Sequence, residues 1–84
     1  MDESEKRVRI VLIDREPVEL YKILKFEGLA SSGAEAKQLI ADGEVQVNAQ
    51  VETRKRRKMR SGDVLQLQNI ALQLKLESTP GMEE

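Results

Sequence analysis

The chain has 84 residues, with 14 Lys and Arg against 15 Asp and Glu, a formal net charge of -1, and neither Cys nor His. That length supports one domain with a modest core and leaves little room for an enclosed active site or a small-molecule substrate. Without Cys and His there are no disulfides, no zinc-finger ligands and no imidazole proton shuttle, so neither a metal nor a cofactor is expected.

Residues 8–13, Val-Arg-Ile-Val-Leu-Ile, are short, apolar and β-branched, which predicts a strand. Pro17 suits the first position of a helix, where no amide hydrogen is needed. Leu20, Ile23 and Leu24 then fall on one face of a helix over residues 18–27. Lys22 and Lys25 lie towards the other side, Tyr21 sits at the boundary, and Gly28 terminates the helix. A second helix opens on a capping box, Ser32-Gly33-Ala34-Glu35. The Ser32 hydroxyl accepts from the Glu35 amide, and the Glu35 carboxylate reaches back. Ala36, Leu39 and Ile40 form its buried stripe, and Gly43 ends it. Its other faces carry Ala34, Lys37, Gln38 and Ala41, a smooth surface with one charged probe that a phosphate backbone can approach closely. Alanine is also simply a good helix former.

Val45, Val47 and Val51 flank Asn48-Ala49, a tight-turn signal. Ser61-Gly62-Asp63 is a second turn. Residues 64–68 and 72–76 alternate as strands of one hairpin or meander, and residues 78–81 form a terminal loop. The order predicts an α+β fold: two helices packed by their apolar stripes on one face of a small, mostly antiparallel sheet. It is one domain, residues 1–84, with a core of about 8–76 and charged, mobile tails at both ends.

The strongest departure from uniformity is residues 54–60, Arg-Lys-Arg-Arg-Lys-Met-Arg, six cations in seven residues. Crowded like charges repel, so such a run is solvated or meets an anion. Lys and Arg on a nucleic acid gain affinity by releasing condensed counterions. From Lys22 to Arg60 there are nine cations and five anions, whereas acids crowd the ends of the chain. Met59, the lone apolar residue of the run, reads as a core anchor. Tyr21 and Phe26 are the only aromatics, too few for a domain that stacks several single-stranded bases. No apolar run approaches the roughly 20 residues that span a bilayer. The charged residues 1–7 lack an apolar signal core, so a cytoplasmic protein is expected.

Several elements in order then carry a resemblance: Leu20-x-x-x-Leu24, residues 28–40 (Gly-Leu-Ala-Ser-Ser-Gly-Ala-Glu-Ala-Lys-Gln-Leu-Ile), Gly43-x-Val45-x-Val47-Asn48, and Gly62-Asp63-Val64. Together, over residues 18–68, they resemble the RNA-binding domain named after the fourth protein of the small ribosomal subunit, the S-four domain. With Val51-Glu52-Thr53-Arg54-Lys55-Arg56 after the turn, the chain is similar to the small stand-alone bacterial members. The resemblance implies an L-shaped motif of two helices and a β-turn, the alpha-L motif, whose exposed face binds structured RNA, with ribosome association as one form of this. Carried over, Ser32 is the cap facing RNA, beside Gly33. Lys37 is the basic residue of the second helix, with Gln38 next to it. Asn48 sits in the turn, and Thr53, Arg54, Lys55 and Arg56 in the loop beyond. Many relatives have Arg-Leu-Asp where this chain has Glu19-Leu20-Tyr21, an Arg where it has Gly28 or Gly33, and Asn-Gly where it has Asn48-Ala49. The richer run over residues 54–58 is expected to replace the missing cations.

The expected partner is structured RNA, bound by a monomer without catalysis. Lys22, Lys25 and Lys37, with Arg54, Lys55, Arg56, Arg57 and Lys58, would form one basic concavity that reads backbone shape and 2′-hydroxyls. The main alternative is a protein-interaction module that docks its cationic loop on an acidic partner. A DNA-reading helix-turn-helix needs polar readers early in the second helix, where Gly33-Ala34-Glu35-Ala36 supplies none. An enzyme needs a nucleophile–base pair or a phosphate-cradling loop, and neither is visible; the pair Glu16 and Glu19 sits at a helix start, where acids are favoured by the dipole.

Overall fold

The computed structural model describes residues 7–77. The amino-terminal tail and the terminal loop read over residues 78–81 lie outside that span. Nine elements follow in order: β1 (Arg7–Ile13), β2 (Val18–Glu19), α1 (Leu20–Phe26), α2 (Gly33–Ala41), β3 (Val45–Val47), β4 (Gln50–Val51), β5 (Lys58–Met59), β6 (Val64–Leu67) and β7 (Ile70–Leu76).

Five strands form one sheet in the order β1-β7-β6-β3-β4, and β2 pairs with β5 as a separate ribbon. Every pairing is antiparallel except that of β1 with β7, which runs parallel from Arg7 opposite Ile70 to Ile13 opposite Leu76. Side chains alternate across a strand, so each strand divides its residues between two faces. Val11 and Ile13 of β1, Val45 and Val47 of β3, Leu65 and Leu67 of β6, and Leu72 and Leu74 of β7 are buried. They join Leu20, Ile23 and Leu24 of α1, Ala36 and Ile40 of α2, and Met59 in one apolar cluster. A fully buried Leu, Ile or Met contributes about 1.5–3 kcal/mol, so this cluster dominates the stability of the domain.

The first helix is shorter than the expected 18–27. Pro17 precedes it, and Val18–Glu19 is extended and pairs with Lys58–Met59. Glu19 caps the helix without any side-chain bond. The first amides of α1 instead find acceptors across the fold: Leu20 N–H donates to the Arg57 carbonyl at 2.9 Å and Tyr21 N–H to that of Lys55 at 3.2 Å. A tertiary partner has replaced the local cap, a choice invisible to local propensity. The same pairing makes the end of the cationic run a short strand rather than loop throughout.

The second helix starts as expected, with the Ser32 hydroxyl accepting from the Glu35 amide at 3.1 Å. The Glu35 carboxylate reaches back one residue further than expected. It accepts from the Ser31 amide at 2.7 Å and from the Ser31 hydroxyl. These bonds hold the Glu35 carboxyl below its ordinary range, the hydroxyl bond contributing most.

Candidate nucleic-acid interface

The cationic run is shaped from below by one carboxylate. Glu52 is buried. It accepts two bonds from the Arg54 guanidinium at 2.9 and 3.2 Å, one from the Arg54 amide at 3.0 Å, and one from Arg57 Nη1 at 3.0 Å. Forked guanidinium–carboxylate bonds of this kind are directional as well as strong. The Arg54 bonds hold the Glu52 carboxyl at about 2, against the upward push of burial. The Arg54 side chain stays largely exposed behind its head group, whereas that of Arg57 is mostly covered. Two of the six cations therefore help to build the loop. Lys55, Arg56 and Lys58 remain exposed.

Tyr21 joins this loop to the helices. The Lys37 ammonium lies 4.6 Å from the centre of its ring, and the Arg56 guanidinium 5.9 Å. Both distances are within cation–π range. A side chain at Gly33 would meet the ring at 3.7 Å, so the bare backbone of α2 lies close beside it. One half-buried aromatic thus gathers α1, α2 and the loop. Glu19 adds a looser link, 3.8 Å from Lys22 Nζ and 4.0 Å from Arg56 Nη1.

The structure therefore brings Lys22, Gly33, Lys37, Arg56 and Lys58 around Tyr21 and Glu19, with Arg54, Lys55 and Arg57 in the same loop. Lys25 and Thr53 are exposed, and Ser32 is exposed while serving as the α2 cap. The contacts of two other expected residues lie elsewhere. Gln38 donates to Asp42 at 2.8 Å within α2. Asn48 donates to Asp63 at 3.2 Å and accepts from the Val64 amide at 3.0 Å, which ties the β3–β4 turn to the start of β6. Tyr21, Glu19 and Glu52 were not among the expected site residues. Tyr21 carried a signal, an aromatic at the edge of an apolar stripe, and Glu52 another, the lone acid beside six cations.

Among the described residues there is no cluster of acids suited to hold a metal, and no helix is long and apolar enough to cross a membrane. A shallow hollow lined by Arg54, Arg56, Arg57 and Lys58 opens on the surface, a shape and charge suited to phosphate.

Comparison with known proteins agrees with this geometry. YbcJ of Escherichia coli (strain K12) is 46% identical over 57 residues, which are 68% of this chain and 81% of that protein. YbcJ of Shigella flexneri matches to the same extent. The solution structure of E. coli YbcJ, described as revealing an alpha-L motif involved in RNA-binding, superposes with a TM-score of 0.64 at 37% identity, covering 89% of this chain and 96% of that one. The family model of the S4 domain matches residues 11–75. The chain belongs to the S4 domain family.

Proposed function

We propose that this protein binds structured RNA, without catalysing a reaction on it, through a basic face made by α1, α2 and residues 53–58. The observation that carries the reading is the seating of the cationic loop on the helices. Its carbonyls accept the first amides of α1, and its Arg56 shares the Tyr21 ring with Lys37 of α2. A solvated loop has no need of such anchoring, whereas a phosphate-binding surface gains affinity when its cations are held in place beforehand. The description of YbcJ as carrying an RNA-binding motif supports the same reading.

Within this face the cations have two roles. Arg57 and, in part, Arg54 hold the loop through Glu52. Lys22, Lys37, Lys55, Arg56 and Lys58 meet phosphates, and Lys25 and Thr53 extend the surface. Ser32 and Gly33 present the start of α2, where the backbone can be approached closely, Gln38 lies further along the same helix, and Asn48 fixes the turn beside this surface. A small rigid face of this type reads the shape of an A-form helix and its junctions, with base edges secondary. Ribosomal RNA is the first natural folded RNA to test.

The test is fluorescence anisotropy with a structured RNA hairpin, comparing wild type with Lys55→Ala/Arg56→Ala/Lys58→Ala. All three side chains are exposed, so the variant stays folded and its unfolding midpoint falls only by what the Arg56 contacts with Tyr21 and Glu19 contribute. Its log–log salt slope falls by about 2 to 3 relative to wild type, since each phosphate contact contributes roughly -0.7 to -0.9. An unchanged slope contradicts the assignment.

A further inference from the structure

A second depression, of about 480 Å³, lies beside the cationic hollow, and Lys58 lines both. Its volume falls in the range of small-ligand clefts, about 300–1,000 Å³. Part of its wall is apolar: Pro17, Val18 and Phe26. Phe26 is one of two aromatics in the chain and is 69% exposed. Single exposed apolar side chains are ordinary; the company of Phe26 is what makes it informative.

The charged groups around it are mixed. Arg15, Lys22 and Lys58 line the depression together with Asp14 and Glu19, and two of the cations are already paired there, Arg15 with Asp14 at 3.5 Å and Lys22 with Glu19 at 3.8 Å. A phosphate placed inside would face two carboxylates, so the site does not suit an anion. It suits a flat, uncharged group that offers donors and acceptors at its edge and has a π-face to cover. A nucleobase meets that description, and the cations at the rim can hold the phosphates on either side of it. Bases stack readily on exposed aromatic rings whatever their sequence.

We propose that this depression is a subsite for one unpaired nucleobase, stacked on Phe26, of an RNA whose backbone lies on the adjoining cationic hollow. The inference rests on the RNA-binding reading above. It narrows the target from folded RNA in general to a helix that carries a bulged or looped-out nucleotide next to the duplex.

The experiment uses two RNA hairpins, identical except for a single bulged 2-aminopurine in one of them, with wild type, Phe26→Ala and Phe26→Trp. Wild type binds the bulged hairpin about 5- to 150-fold more tightly than the paired one, the range expected for stacking one base on an aromatic side chain. Phe26→Ala loses the preference while keeping its affinity for the paired hairpin, and Phe26→Trp retains it. The 2-aminopurine emission changes on binding to wild type and does not change in the same way on binding to Phe26→Ala. Equal wild-type affinity for the two hairpins, or a preference that survives in Phe26→Ala, overturns the subsite and leaves RNA binding standing. No wild-type binding to either hairpin overturns both.

Discussion

At the scale of single residues, Glu52 and Tyr21 organise a surface on which neither was expected to act. Glu52 has its pKa lowered from the ordinary 4.5 to about 2, chiefly by the Arg54 bonds. A group whose folded pKa is depressed contributes stability that is complete above the unfolded value and is lost as pH falls through the folded one. The Glu52 contribution is therefore full above pH 4.5 and disappears between pH 4.5 and 2. Glu52→Gln is expected to cost about 2 kcal/mol at pH 7, the scale of a buried hydrogen bond to a charged group. The gap in unfolding midpoint between wild type and Glu52→Gln narrows as pH falls from 4.5 towards 2; a gap that stays constant over that window contradicts the assignment. Tyr21→Leu keeps an apolar side chain at the helix boundary and removes the ring that orders Lys37 and Arg56. The two cation–π contacts, worth about 0.5–1 kcal/mol each, are lost from the folded state, so the unfolding midpoint falls by several degrees, and RNA affinity, read by anisotropy, falls several-fold as Lys37 and Arg56 lose their fixed positions.

At the scale of elements, the β3–β4 turn and the β2–β5 ribbon differ in how far they were legible. Asn48-Ala49 was readable as a two-residue turn, and both residues have positive φ, 52° and 72°. This is the backbone that such a hairpin turn demands. An alanine there is strained by roughly 1–2 kcal/mol, whereas glycine is not. Glycine also loses more chain entropy on folding, by about 0.5–1 kcal/mol. Ala49→Gly is thus expected to raise stability by about 0.5 kcal/mol, measured by urea denaturation; a lower midpoint would count against the turn geometry. The ribbon was not legible, because two residues on each side carry no periodicity and their pairing spans some forty positions. Only Met59 announced it, as a lone apolar residue among cations, and it is fully buried. Met59→Ala is expected to cost about 2–5 kcal/mol through lost burial and the cavity left behind, making it more damaging than any single cation substitution in the run. The helices were readable because stripes at helical spacing and the Ser32 cap are local signals. The helix start at Leu20 was not, since its partners are the Arg57 and Lys55 carbonyls.

At the scale of the whole molecule, a chain of net charge -1 presents a basic face because its charges are sorted along the sequence and then gathered by the fold. The run over residues 54–60 was legible as a patch. Its division into residues that hold the loop and residues left exposed was not, because that depends on where a single buried carboxylate lies. Local concentration of cations governs association with polyanions more than net charge does. The central claim is that this face recognises folded RNA rather than negative charge as such. Its most direct test is anisotropy binding of the wild-type protein to a structured RNA hairpin, a DNA duplex of matched sequence and heparin, at a fixed salt concentration near physiological and again over a salt series. The account predicts tighter binding to the RNA hairpin than to either competitor across the series, with a log–log slope of about -4 to -5 if five or six cations engage phosphates. Equal affinity for all three polyanions would contradict it and reduce the face to a cationic patch without preference for RNA.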